Sequence, residues 1–158
     1  MTTRLHQMNV RYQPVEDRLL LRISAKNGDE YRIWLTRRYA GILQRVFSQE
    51  IERCGGRQIL ASNQQTTKMY KEGAFEKPYE EKSTHYPLGE LGILASRISV
   101  NRLENSDIRL ELAPQQGQGL SLNLNRSLLF MFDNLLSQGI LQAGWNSVVE
   151  GQGSGRVH

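Results

Sequence analysis

The sequence predicts an α+β fold made of two β-β-β-α units, whose antiparallel sheets and two helices form a pseudo-dimer within one chain. Short segments in which apolar and polar residues alternate are typical of strands that bury one face. Two longer segments place apolar residues at helical spacing. These elements occur in the same order in the first and last thirds of the 158-residue chain. We therefore expect one compact domain overall, built from two similar halves.

The first unit comprises residues 1–60 and begins with three alternating segments. Asn27-Gly28 separates the second segment from the third, and this dipeptide favours a tight hairpin turn. Thr36 is a good N-cap for the helix that follows, and a Gly-Gly pair stops that helix. The predicted strands cover residues 8–12, 18–24 and 30–35, and the predicted helix covers residues 37–53.

The second unit comprises residues 93–144 and follows the same order. Its helix is expected to start after the N-cap Asn125. Apolar residues at helical spacing continue to Ile140, and one further turn to Ala143 is left open. The predicted strands cover residues 93–102, 108–112 and 120–124.

The two units align without a gap when the first is shifted by 89 residues, so that residues 18–51 meet residues 107–140. Few residues are identical, but the alternating apolar positions coincide. The turn glycines Gly28 and Gly117 coincide as well. We interpret this as an internal duplication. The alternative is two unrelated antiparallel modules that share a common pattern of turns, strands and caps.

Residues 61–92 form a polar connector between the units, rich in Lys, Glu, Gln and Ser/Thr. It is expected to be partly irregular, because such a composition buries little apolar surface. Four aromatic residues within it are expected to anchor it on the fold. These are Tyr70, Phe75, Tyr79 and Tyr86. Residues 145–158 are expected to form a flexible tail.

A duplicated sheet-plus-helix unit resembles the Whirly and PUR families of single-stranded nucleic-acid binders, in which such repeats pair within one chain. The resemblance lies in strand order only, because those families typically have four strands per repeat and the sequence predicts three here. It implies a Whirly/PUR-like topology and a nucleic-acid ligand. No family residue is carried over to this chain.

The strands of the first unit carry a basic and aromatic face opposite their apolar stripe. The net charge is +4, and residues 1–60 hold 11 Lys and Arg against 6 Asp and Glu. Arginines that contact phosphates and an indole that stacks on a base are typical of single-stranded nucleic-acid binding. We expect this face to bind single-stranded DNA or RNA. The candidate residues are Arg11, Arg18, Leu20, Arg22, Arg32 and Trp34 on the strands and Arg38 in the first turn of the helix.

Two other interpretations of this face stay open. In the first, the Trp34 indole packs beneath the connector or against the other unit, and arginine stems cover it. An exposed Trp next to Leu20 equally suits a protein partner or a second copy of the chain, because Trp and Arg are favoured at interface centres.

The sequence contains no constellation of residues that predicts catalysis. His6, His85 and His158 lack metal-ligand spacing. Cys54 is the single cysteine, and it follows the C-terminal end of a helix, where the helix dipole does not activate a thiol. We therefore expect a non-catalytic binding module that needs no metal and no cofactor.

Membrane insertion is not expected, because no apolar segment approaches the roughly 20 residues of a transmembrane helix. The N-terminal residues also lack the apolar region of a signal peptide. The sequence therefore predicts a cytoplasmic protein.

Overall fold

A computed structural model describes residues 5–62 and 78–145, and it shows an α+β fold with two sheets and three helices. Two of the predicted connector anchors, Tyr70 and Phe75, lie outside these residues, as does the predicted tail beyond residue 145. The strands are β1 (Leu5–Gln13), β2 (Arg18–Ala25), β3 (Glu30–Leu35), β4 (Ile93–Leu94), β5 (Arg97–Arg102), β6 (Ile108–Ala113) and β7 (Leu120–Leu124). The helices are α1 (Arg37–Arg53), α2 (Arg57–Ala61) and α3 (Arg126–Ala143).

The first sheet has the order β1-β2-β3-β4. Its first three strands are antiparallel, as the hairpin pattern predicts, but β4 pairs with β3 in parallel. The prediction of antiparallel pairing alone is therefore wrong for this sheet. The close approach of β4 depends on Gly92, which has a φ of +81°, because an added Cβ would lie 2.5 Å from the carbonyl oxygen of Arg32.

The second sheet has the order β5-β6-β7 and is antiparallel throughout. The single strand predicted over residues 93–102 is wrong, because the chain forms two strands there that belong to different sheets. Ala95 and Ser96 lie at the change of sheet. The amide of Ala95 donates to Trp34 in the first sheet, whereas the amide of Ser96 donates to Ala113 in the second.

Side-chain hydrogen bonds cap the N-termini of both long helices, as the sequence predicts. The hydroxyl of Thr36 accepts a hydrogen bond from the amide of Tyr39 at 3.1 Å. The side-chain oxygen of Asn125 accepts one from the amide of Leu128 at 2.8 Å. Each bond satisfies an amide that has no partner within its own helix. The short helix α2 was not predicted, because it follows a Gly-Gly pair that marks the end of α1.

The two long helices pack against each other in the centre of the fold. The rings of Phe47 and Phe132 are fully buried, with centroids 4.8 Å apart. Helix α3 also crosses the first sheet, where a Cβ added to Gly139 would lie 2.7 Å from Cγ1 of Val10. A helix of the second half therefore covers the sheet of the first half, and both halves share one core.

Polar pairs interrupt the apolar contact between α1 and α3. Gln44 donates to the hydroxyl of Ser137 at 3.5 Å. Arg57, at the start of α2, donates to both the carboxylate of Asp133 and the hydroxyl of Ser48. The side chain of Asp133 is only 1% exposed, so Arg57 supplies the charge that balances a buried carboxylate.

Candidate binding surface on the first sheet

The outer face of the first sheet brings together six of the seven residues that the sequence singled out. Strand register places Arg11 beside Leu20, Leu20 beside Trp34, and Trp34 beside Leu94. A second row contains Arg22 beside Arg32. Arg18 shares the face because side chains alternate along β2. Arg38 does not belong to this group, since it is exposed in the first turn of α1.

The end of the connector runs over part of this outer face, and we call residues 78–92 the strap. Arg22 lies beneath it, with a side chain that is 12% exposed. Its guanidinium donates to the carboxylate of Glu81 at 2.6 Å and lies 4.2 Å from the centre of the Tyr79 ring. An ion pair and a cation–π contact therefore both hold Arg22 within the chain.

Arg32 is held in the same way at the next position of this row. Its guanidinium lies 4.6 Å from the centre of the Tyr86 ring. It donates to the carbonyl oxygen of Glu90 at 2.7 Å and also pairs with the carboxylate of Glu30. Next to it, the indole of Trp34 donates to the carbonyl oxygen of Leu91 at 2.9 Å. The strap thus occupies hydrogen-bond donors of Arg32 and Trp34 that would otherwise be free to contact a ligand.

Glu30 organises the centre of the contact between strap and sheet. Its side chain is 1% exposed, and it accepts hydrogen bonds from the hydroxyl of Tyr79 at 2.7 Å and the hydroxyl of Ser83 at 3.4 Å. Burial, and then the hydrogen bond to Glu30, raise the pKa of the Tyr79 phenol. Tyr79 is therefore a neutral donor over the physiological pH range.

Backbone and amide contacts fix the course of the strap. The side chain of Gln7 donates to the carbonyl oxygen of Pro78 and accepts from the amide of Glu80. Two strands away in the same cross-strand row, the amide of Glu30 donates to the carbonyl oxygen of His85 at 2.9 Å. The sequence indicated aromatic anchors in the connector, but it did not show that Tyr79 and Tyr86 stack on the arginines of the candidate face.

The strap changes the electrostatics of the outer face. It brings Glu80, Glu81 and Glu90 to a surface that would otherwise carry an excess of arginines. Glu80 lies 2.9 Å from His6, and hydrogen bonds from His6 and Lys82 lower the pKa of its carboxyl group. On this face the strap carboxylates thus leave Arg11 and Arg18 uncovered, and Arg18 lies 3.9 Å from the carboxylate of Glu16.

The row of Arg11, Leu20, Trp34 and Leu94, with Arg18 and Leu91 beside it, forms a surface with an apolar centre and a basic rim, which we call the open patch. Leu20 and Trp34 at its centre are partly exposed. Leu91 is 87% exposed and Leu94 is 38% exposed. The Arg11 side chain is exposed, and that of Arg18 is 37% exposed, with its carboxylate neighbour Glu16 at 3.9 Å. The members of the open patch are Arg11, Arg18, Leu20, Trp34, Leu91 and Leu94.

The described parts of the chain show neither a metal-binding cluster nor a membrane-spanning helix. Across residues 5–62 and 78–145, no group of three or more His, Cys, Asp or Glu side chains could hold a metal ion. No helix in those ranges is long and apolar enough to cross a membrane. Cys54 is a partly buried free thiol.

No protein-family model, curated protein or solved structure matches the chain. The described residues form an α+β fold with two sheets and three helices.

Proposed function

We propose that the protein is a non-catalytic protein-interaction module whose open patch binds an apolar segment of a partner that also carries carboxylates. The observation that carries this proposal is the row across four strands, in which Leu20, Trp34 and Leu94 are side by side with Arg11 at the end. Large apolar side chains surrounded by a polar rim are typical of protein interfaces. Trp and Arg also contribute most often to their binding energy.

Charge complementarity specifies the chemistry of the partner. Arg11 and Arg18 are the arginines of the outer face that no strap carboxylate neutralises. A carboxylate of the partner beside either one would form a charge-assisted hydrogen bond. The Trp34 indole already donates to Leu91, so it offers the partner its apolar surface.

Single-stranded nucleic-acid binding remains the second candidate, and one observation favours it. Arg11 lies at the end of the row that contains Trp34, and Arg18 lies on the same face of β2, so phosphates and a stacked base could be accommodated together. The strap weakens this candidate. Glu30 and Glu81 neutralise Arg32 and Arg22 within the chain, and affinity for nucleic acid depends on cations that are free to contact phosphates.

Binding measurements with two probes distinguish these candidates. Peptides selected from a random display library on the full chain, and a thymidine oligonucleotide, are titrated by fluorescence anisotropy at two salt concentrations. We expect selected peptides rich in apolar and acidic residues, and no salt-dependent oligonucleotide binding. Leu94→Glu should weaken peptide binding by about 30-fold, which corresponds to the roughly 2 kcal/mol of a central interface residue.

A matched control is available on the second sheet. Arg109 is exposed on the outer face of β6, and Arg109→Glu changes charge as Arg11→Glu does without touching the open patch. Peptide binding that is lost in Arg11→Glu but kept in Arg109→Glu supports the proposal. Oligonucleotide binding that falls steeply with salt and weakens in Arg11→Glu would replace it with the nucleic-acid candidate.

We infer in addition that the two halves arose by internal duplication, with a topology similar to the Whirly and PUR repeats in strand order. Identical hairpin register supports this inference. In the first half, Leu21 pairs with Ile33, and in the second half, Leu110 pairs with Leu122. Each pair in the second half is offset by 89 from its counterpart. The equivalent turns each contain a left-handed glycine, Gly28 at φ +97° and Gly117 at φ +103°.

The helix contact supports the same inference. Gln44 and Ser48 of α1 are equivalent to Asp133 and Ser137 of α3 under the shift of 89. Gln44 bonds Ser137, and Arg57 bridges Ser48 and Asp133, so equivalent pairs meet on both sides of the contact.

Equivalent caps should then contribute similarly: Thr36→Ala and Asn125→Ala should each lower the free energy of unfolding by about 1 kcal/mol in urea titrations. A loss confined to one cap contradicts their equivalence.

A further inference from the structure

The two sheets differ at the outer edges of two equivalent strands, β3 in the first sheet and β7 in the second. Strand β3 is paired on its outer side by β4, which follows α1 in the chain. Strand β7 has the same register to β6 as β3 has to β2, but it lies at the end of the second sheet. The second sheet therefore lacks the strand that completes the first.

The pairing of β4 shows what that edge accepts. Ile93 lies beside Ile33, and Leu94 lies beside Trp34 in parallel register. The amide of Ala95 donates to the carbonyl oxygen of Trp34 at 3.0 Å. The backbone carbonyl of Trp34 thus points away from β2. The shared register implies that the backbone N–H and C=O of its equivalent, Asn123, point away from β6.

The outer edge of β7 is open among the described residues. Within residues 5–62 and 78–145, no backbone hydrogen bond reaches Leu120–Leu124 except those of the β6 ladder. Asn123 is exposed and Ser121 is partly exposed. The strand carries neither a charged residue nor a proline, which are the usual means of blocking an exposed edge.

A groove lies next to the start of this edge. It has a volume of about 780 Å³, and Leu120 and Ser121 line one side. Tyr31, Pro87 and Leu88 of the first half line the other side. This volume falls within the range of clefts that bind small molecules. An extended segment could therefore contact apolar side chains while it pairs with the edge.

We propose that β7 binds an extended segment of a partner protein, which adds to the second sheet as a parallel strand. The segment has the chemistry of Gly92-Ile93-Leu94: a glycine for close approach, followed by two apolar residues. Ser121 stands at the position equivalent to Arg32, and the Arg32 atoms that approach Gly92 most closely, the carbonyl oxygen and Cβ, are also present in serine, so the segment needs a glycine here as well. Main-chain hydrogen bonds supply affinity, and apolar side chains supply specificity. This surface is separate from the open patch.

The probe is a labelled peptide with the sequence of residues 91–96, LGILAS, titrated into the full chain and compared with a scrambled peptide. We expect saturable binding of LGILAS alone. The amides of Ser121 and Asn123 should shift in NMR spectra and exchange more slowly with solvent when the peptide is bound. Shifts at Ile33 and Trp34 instead would show displacement of β4 and would overturn the proposal.

Two variants at one position test the hydrogen-bonding mechanism. Asn123→Pro removes an outward amide and should weaken peptide binding by at least about tenfold. Asn123→Ala keeps the amide and should bind within about twofold of the unmodified chain. If Asn123→Pro does not fold, amide protection in the unmodified chain decides the question.

Three results overturn the proposal: LGILAS does not bind, binding is equal in both variants, or the Asn123 amide is already protected without peptide. In the last case, a mass that rises with concentration identifies a second copy as the occupant, and a constant monomer mass identifies the chain's own residues.

Discussion

The indole nitrogen of Trp34 donates a hydrogen bond to the carbonyl oxygen of Leu91, and the two atoms are 2.9 Å apart. This bond ties β3 to the strap at the boundary between the covered and the open parts of the sheet. The polar edge of the indole is thus used within the chain, and its apolar surface remains for a partner. One residue therefore belongs both to the fold and to the proposed interface.

Trp34→Phe keeps a large apolar ring but removes this hydrogen bond. We expect the free energy of unfolding to fall by about 1 kcal/mol, the usual net contribution of one such bond. The loss should be concentrated in the strap, so the amide of Gly92, which donates to Gly89, should exchange faster with solvent. Asn123→Ala, at the equivalent position of β7, should leave that exchange rate unchanged. Unaltered exchange in Trp34→Phe would show that the strap is held independently of the indole.

Substitution by alanine at two helical glycines should change the free energy of unfolding in opposite directions. At Gly139, an added Cβ would lie 2.7 Å from Val10 and 3.3 Å from Leu19, so Gly139→Ala should destabilise the fold by about 1–3 kcal/mol through overpacking. At Gly41, no atom lies within 4 Å of the added Cβ. Gly41→Ala should stabilise the fold by up to about 1 kcal/mol, because alanine favours a helix. Urea unfolding measures both, and equal effects would contradict the close packing of α3 on β1.

The pair of Arg57 and Asp133 should be sensitive to removal of one partner. Arg57→Met leaves the Asp133 carboxylate, which is 1% exposed, without its balancing charge. We expect a loss of about 2 kcal/mol or more in unfolding free energy, reduced from the value for fully buried pairs because Arg57 is half exposed. The double variant Arg57→Met/Asp133→Leu should recover most of this loss. A double variant that is no more stable than Arg57→Met would show that the pair does more than neutralise one buried charge.

Alkaline pH should weaken the fold through Tyr39 and Tyr79. Burial raises the pKa of both phenols above their ordinary value near 10. Above about pH 10 the unfolded chain therefore loses protons that the folded chain keeps, and the free energy of unfolding falls as pH rises. Urea titrations at about pH 9 and about pH 11 measure the difference. The variant Tyr39→Phe/Tyr79→Phe should show a smaller decrease, and an unchanged decrease would assign the effect to other groups.

Strands and long helices could be predicted because their signals are local. Thr36 and Asn125 both cap helices, as their positions before apolar periodic segments indicate. The division of residues 93–102 between two sheets could not be predicted in this way. It depends on the position of β3 in space, and a short apolar segment is compatible with either sheet.

The sequence predicted which residues belong to the candidate surface, but it did not predict which of them pair with the strap. Alternation placed Arg22, Arg32 and Trp34 on one face, and the strand register agrees with that placement. The pairing of Arg22 with Glu81, 59 residues away in sequence, follows no periodic pattern. The tyrosines and glutamates of the connector were visible in the sequence, but nothing local indicates which arginine each one meets.

The sequence by itself determined β1 to β3, β6 and β7, the two long helices with their caps and turns, and which strand residues face away from the core, because each depends on neighbours within a few positions. The tertiary structure alone decided that α3 covers the first sheet, that the strap neutralises Arg22 and Arg32, and that β7 has an open edge. These features arise from contacts between distant segments, where burial, charge pairing and backbone hydrogen bonding choose among arrangements that local patterns allow equally.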